Sequence, residues 1–252
     1  MVQICALASG SNGNCYYVGN SFEAVLIDIG ISNRQLKQRM KDAGLNLQYV
    51  KAVLVTHEHT DHIKGMHGVI KKNNIPGYVT RHTYNQARKD FRSEMVRYFE
   101  PGDTITIGSI KVHTFSKQHD AAEPVSFRIE IEGKNIAVLT DLGTACPNVL
   151  EHLKQCDAAF LECNYEHNML MNGNYPAFLK QRVASDYGHL SNSQAFELVK
   201  SLNGSPLKTV LLSHISADNN RVDLAMETFS PLTHKLCIEP TSRHSASKVL
   251  EI

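Results

Sequence analysis

Residues 53 to 65 read VLVTHEHTDHIKG, placing His57, His59, Asp61 and His62 within six positions, directly behind an apolar run. In an extended chain residues i and i+2 point the same way, so His57 and His59 converge on one ion as the strand runs out. Asp61 and His62, at the turn into a following helix, reach a second position beside the first. An isolated His-x-His is a common surface pattern. His-x-His-x-Asp-His behind a β-branched strand is a metal-binding one.

Two metal positions need more donors than this stretch provides, and the donors stand at other strand ends. His119 in SKQHDA follows the strand-like IKVHTF, Asp141 ends AVLTD, and His214 ends VLLSH. Each alone reads as a turn residue or cap. Together with the first stretch they form a set of seven: His57, His59, Asp61, His62, His119, Asp141 and His214. His67, His82, His113, His152, His167, His234 and His244 have no comparable spacing.

The elements that must carry these groups can be read in order. QICALA and CYYVG are short strands joined by a Gly/Ser/Asn loop at 9–14, and EAVLIDIG is a strand ending on Asp28. Ser32 caps a helix with Leu36, Met40 and Ala43 on one face and Gly44 as its stop. A helix marked by Ile63, Met66, Val69 and Ile70 follows the histidine stretch and ends near Asn73. Alternating strands come next, with a hairpin turning at Gly133. Further helices are expected near 147–155, from Ser191 and over VDLAMETF, with HKLCIEP as the last strand. Two mixed groups of strands with interleaved helices predict a four-layer αββα sandwich, an α/β (α+β) fold in a single domain spanning 1–252.

Composition narrows the function classes. Lys and Arg number 26 against 25 Asp and Glu, a formal net charge of +1, so any polyanion site is local and its salt dependence shallow. The six cysteines include no Cys-x-x-Cys pair, which points to free thiols in a reducing cytoplasm. No export signal and no run near the roughly 20 apolar residues of a membrane span is visible.

The chain resembles the metallo-β-lactamase-fold hydrolases, on Asp28, His57-x-His59-x-Asp61-His62, His119, Asp141 and His214 in that family's order. The resemblance implies His57, His59, His119 and Asp141 around one metal. It implies Asp61, His62, Asp141 and His214 around another, with Asp141 bridging, and Asp28 behind them orienting a ligating histidine. ASGSNGNC, TDLG, LECNYEHNML and GHLSN are similar to the YycJ/WalJ/VicX branch, which implies a phosphodiesterase with exonuclease action on DNA.

Two divalent ions, zinc first and manganese or iron as alternatives, suit that chemistry. About 3.5–4 Å apart, they lower the pKa of a shared water towards roughly 7 and neutralise the charge of a phosphodiester. Asp61 and His189 are the catalytic candidates. His189 lies just before a helix capped by Ser191 and is placed to protonate a leaving oxygen; its segment resembles the Gly-His-Ser-Thr stretch of ribonuclease Z. Asn12 and Asn14 of the 9–14 loop, with Lys180 and Arg182, are candidate phosphate contacts. The expected substrate is nucleic acid, DNA before RNA, or a small phosphodiester, with no membrane partner.

Other readings fit less well. A glyoxalase-like thioesterase adds a C-terminal helical domain, and only 38 residues follow His214. The larger nucleases of the fold insert a domain between the bridging Asp and the last His, where this chain has 73 positions. A non-catalytic signalling module predicts an eroded ligand set, and all seven groups are present.

Overall fold

Strand β1 (Gln3–Ala8) is apolar on both faces, with Ile4 and Ala6 turned into one hydrophobic cluster and Cys5 and Leu7 into another. A strand buried on both sides must lie between two layers. The computed structural model, which describes residues 1–87 and 94–252, shows what those layers are. The remaining strands among the described residues are β2 (Cys15–Gly19), β3 (Ala24–Ile27), β4 (Val50–Leu54), β5 (Gly77–Thr80), β6 (Val96–Phe99), β7 (Thr104–Ile107), β8 (Ile110–Ser116), β9 (Val125–Ile131), β10 (Lys134–Leu139), β11 (Ala158–Glu162), β12 (Thr209–Ser213), β13 (Cys237–Pro240) and β14 (Leu250–Glu251). They form two seven-stranded sheets, ordered β14-β1-β2-β3-β4-β5-β6 and β13-β12-β11-β10-β9-β8-β7.

The sheets face one another across a shared core. Ile4, Val18, Ile27 and Leu54 of the first meet Val112, Phe127, Val138 and Phe160 of the second. The Tyr16 and Phe160 rings bridge the layers at a centroid distance of 4.9 Å, and both are fully buried. Truncating such a ring costs about 3–5 kcal/mol. Outside the first sheet, Leu36 and Met40 pack from helix Asn33–Asp42, with Met66, Val69 and Ile70 from helix Met66–Asn73. Outside the second, Val149, Ala195, Leu198, Ala225 and Phe229 come from three further helices. The expected four-layer αββα sandwich is the observed one.

Local sequence signals explain several element ends. Ser32 accepts from the Gln35 backbone N–H while Gln35 reaches back to the Ser32 N–H, a capping box. The hairpin between β9 and β10 turns at Glu132 and Gly133, whose φ of 48° and 74° match a two-residue turn with both residues left-handed.

Two expectations need correction. The helix after the histidine stretch is broken into Thr60–Ile63 and Met66–Asn73, because the Gly65 N–H donates to the Ile29 carbonyl at 2.8 Å and not to the carbonyl one turn back. Cys237–Pro240 is also not the last strand. Leu250–Glu251 pairs antiparallel with β1 and closes the first sheet, a two-residue strand too short to show alternation.

The strand directions decide where chemistry can occur. β3 to β6 run parallel, as do β10 to β13, and loops at the carboxyl ends of parallel strands are where such sheets place their sites.

Candidate metal centre

Asp28 follows β3, His57 follows β4, Asp141 follows β10, Glu162 ends β11 and His214 follows β12. Pairing of Glu162 with Ser213 and Leu161 with Leu212 sets the second-sheet groups side by side. Asp28, Asp141 and His214 take left-handed φ of 60°, 55° and 54°. That conformation costs a non-glycine residue about 1–2 kcal/mol, and here it turns each side chain out of the strand line towards a common point.

The seven sequence-predicted groups converge. His57, His59 and His119 bring ligand atoms within 4.8 Å of one another, as do His57, His62 and Asp141, and Asp61, His62 and His214. Asp141 lies between the two sides, with Oδ2 3.2 Å from His62 Nε2 and Oδ1 3.9 Å from His119 Nε2 and 3.4 Å from His214 Nδ1.

Hydrogen bonds fix which nitrogen each ring offers. A carboxylate or carbonyl can only accept, so His62 Nδ1 donates to Asp28 at 2.7 Å, His214 Nδ1 to Glu162 at 2.8 Å and His119 Nδ1 to the Gly188 carbonyl at 3.0 Å. The Thr56 hydroxyl donates to Asp28 and so accepts from His57 Nδ1 at 2.9 Å. All four rings are left with an Nε2 lone pair, the usual second partner arrangement of a metal-ligating histidine. His57 Nε2, His214 Nε2 and Asp141 Oδ2 are buried without a hydrogen-bond partner. Buried orphaned acceptors are costly, and an all-nitrogen-and-oxygen donor set of this kind fits divalent cations.

The electrostatics point the same way. Burial disfavours a charge on His214, yet the Asp141, Asp61 and Glu162 carboxylates push its pKa up to about 10. His62 is likewise raised against burial by Asp141, Asp61 and Asp28. His57 is lowered by burial and by its cationic neighbours, and His119 falls to about 4, chiefly through burial. The carboxylates thus demand positive charge at the centre.

A family model described as the beta-lactamase superfamily domain matches residues 23–215. The chain belongs to this superfamily. It is 35% identical over 227 residues to the protein named exodeoxyribonuclease YycJ of Bacillus anthracis, covering 89% of this chain and 86% of that one. It is 33% identical over 228 residues to exodeoxyribonuclease WalJ of Streptococcus pneumoniae, covering 88% and 84%. Among solved structures, the metallo-β-lactamase fold protein YhfI of Bacillus subtilis superposes over 100% of both chains with a TM-score of 0.75 at 15% identity, a likeness of fold.

Within this superfamily fold the other sequence candidates are placed unevenly. His189 stands in the site: its Nδ1 donates to Glu162 Oε1 at 2.9 Å, and its side chain is 21% exposed. Ser191 caps the helix behind it through a capping box with Gln194. Asn12 is exposed on its loop. Asn14 is turned inward instead, fully buried, with Nδ2 3.2 Å from Asp61 Oδ2 and 3.1 Å from His62 Nε2, while Oδ1 accepts from Tyr16 and the Gly10 N–H. Lys180 donates to the Met171 carbonyl at 2.7 Å, and Arg182 forms an ion pair with Asp120, beside His119. The two cations are thus engaged within the protein, the opposite of a free clamp.

Two buried charges escape a reading of the sequence. Glu162 is fully buried, accepts from the backbone N–H groups of Asp141, Leu142 and Leu190, and holds both His189 and His214. Burial would raise its pKa, but the two histidines hold it down to about 2. The one available signal is a charge ending the apolar run AAFLE. Lys117, 5% exposed, donates to the Thr140 carbonyl at 2.6 Å, immediately before Asp141. It fixes the turn that presents Asp141 and places a cation behind the carboxylates.

Proposed function

We propose that the chain is a metal-dependent phosphodiesterase acting on nucleic acid, a DNA exonuclease in its main activity. The observation that carries the reading is the Glu162–His189 pair set beside seven convergent metal-type ligands. The names of relatives at 33–35% identity over most of the chain support the same substrate class.

His57, His59, His119 and Asp141 would hold one divalent ion, and Asp61, His62, His214 and Asp141 the other. When bound, such a pair supplies a hydroxide at neutral pH and concentrated positive charge for the phosphodiester oxygens. The protein's own groups do the rest. Asp28, Thr56, Gly188 and Glu162 keep the ligand rings in one tautomer and orientation. Asn14 holds Asp61 on the centre. Glu162 accepts the Nδ1 proton of His189 and holds the ring, so that a proton carried on Nε2 can pass to the leaving oxygen. Asn12, exposed on its loop, is the group we assign to a substrate phosphate.

Zinc, manganese and iron all suit the donors. The described helices include none long and apolar enough to cross a membrane. The six unpaired cysteines accord with a cytoplasmic setting.

The test is a panel of end-labelled single- and double-stranded DNA and RNA, with a chromogenic phosphodiester beside it, in Mn²⁺ or Zn²⁺. Stepwise shortening of DNA, abolished by Asp141→Ala, is the expected result. Turnover of the chromogenic ester with every polymer left intact would replace the nuclease reading by a small-molecule phosphodiesterase.

A further inference from the structure

The near-zero net charge of the chain conceals a local excess. A groove of about 700 Å³ on the outer helical layer of the first sheet is lined by Arg34, Lys37, Lys41, Lys64 and Lys72. No Asp or Glu lines it among the described residues. Arg34, Lys37 and Lys41 lie three and seven positions apart on helix Asn33–Asp42 and so share its face. Opposite them, Lys64, Gly68 and Lys72 recur at four-residue intervals, and a Cβ on Gly68 would meet open space. The two walls are tied where Asn73 Nδ2 donates to Asn33 Oδ1 at 2.8 Å.

All five cations are exposed, and none has an ion pair or side-chain hydrogen bond to a described residue. The nearest acid on the first helix, Asp42, accepts from Gln38. Lys37 and Lys41, one turn apart, repel each other, so the cluster costs stability and packing does not account for it. Its position is telling. Lys64 caps the helical turn Thr60–Ile63, which carries Asp61 and His62. The groove therefore starts at the back of the metal centre's own helical turn.

We propose that this groove binds the phosphodiester backbone of a nucleic-acid strand whose end is held at the metal centre. The inference rests on the nuclease reading and adds to it a tract that grips the polymer away from the bond being cut. Such contacts position without reading sequence, and each neutralised phosphate releases counterions. Binding should then be steeply salt-dependent, contrary to what a net charge of +1 suggests.

The experiment compares wild type with a Lys37→Gln/Lys41→Gln/Lys72→Gln variant and a Lys→Arg counterpart at the same positions. Lys64 is left alone because of its nearness to His62. Affinity for a labelled 30-mer duplex is measured by anisotropy in chelator, without turnover, across a salt series. Loss of three phosphate contacts lowers the slope of log K against log salt by about 2–3 and weakens binding about 10- to 100-fold, while the Arg variant stays like wild type. With metal restored, KM for DNA rises in the Gln variant and hydrolysis of a chromogenic diester is unchanged.

Wild-type protein that shortens DNA, with a Gln variant matching it in KM and salt slope, overturns the groove alone. Wild-type protein that cleaves no polymer overturns the nuclease reading, and the binding arm still decides the groove. Binding to phosphatidylserine vesicles in place of DNA makes the face a membrane-directed one and overturns the proposal.

Discussion

Glu162 Oε1 receives the Nδ1 proton of His189 at 2.9 Å, and the same oxygen receives that of His214 at 2.8 Å. One buried carboxylate thus couples a group outside the proposed ligand set to a group within it. Glu162→Gln keeps the shape but loses one acceptor oxygen, and its amide faces backbone N–H groups that need an acceptor. Metal affinity or turnover should fall about 10- to 100-fold, with about 1–3 kcal/mol of stability lost to the unsatisfied donors. Metal analysis, kinetics and thermal melting of the one variant separate these effects.

His189→Ala removes the proposed proton donor and leaves every proposed ligand in place. Turnover on substrates with alkoxide-like leaving groups should fall about 10²–10⁴-fold. A p-nitrophenyl diester, whose leaving group needs no proton, should be much less affected, and metal content should be that of wild type. Equal losses on both substrates would assign the ring to phosphate binding.

Asp141 is shared by both proposed metal positions. Asp141→Ala should lose both ions and activity together, whereas His59→Ala, on one side only, should leave metal on the other. Restoring cation to chelated wild-type protein should raise its stability by about 2.7 kcal/mol for each site filled at a hundred times its dissociation constant. Asp141→Ala should show no such gain in a thermal shift series. Two metals and normal turnover in that variant would refute the bridge.

Alkaline stability follows from the buried thiols and phenols. Burial pushes Cys5 up to about 11 from 9.0, Cys156 up to about 12 from 9.0, and Tyr17 up to about 12 from 10.0. These folded values exceed the unfolded ones, so above pH 9 the unfolded chain binds fewer protons and stability falls with rising pH. The contribution is intact below about pH 9 and is lost progressively towards pH 12. Melting temperatures across pH 7.5 to 11 check the sign. A thiol reagent should label exposed Cys237 first, and buried Cys5, Cys15, Cys156 and Cys163 only on unfolding.

The clustering of metal-type side chains was legible because metal chemistry imposes short spacings and strand-end positions, as in His57 to His62. The two sheets were legible because the strands fall into two mixed groups with helices interleaved among them. Glu162 and Lys117 were not, since their partners come from distant segments and only the apolar run before Glu162 hints locally at burial. The placement of Asn14, Lys180 and Arg182 depended on side-chain direction, which loop composition does not specify. The basic groove was hidden by averaging: 26 cations against 25 acids describes the whole surface and not the face made by two helices.

The pairing of Gln3 with Glu251 joins positions separated by almost the full length of the chain. On the ribosome β1 would emerge long before β14 with one edge open, and that edge stays unpaired until residue 251 has left the exit tunnel. Contacts of such long separation are slow to form, and an open edge can recruit a strand from another molecule. The interval before β14 docks is therefore the stage of synthesis at which this protein is most exposed to misassembly, and the stage at which a chaperone would have most to protect.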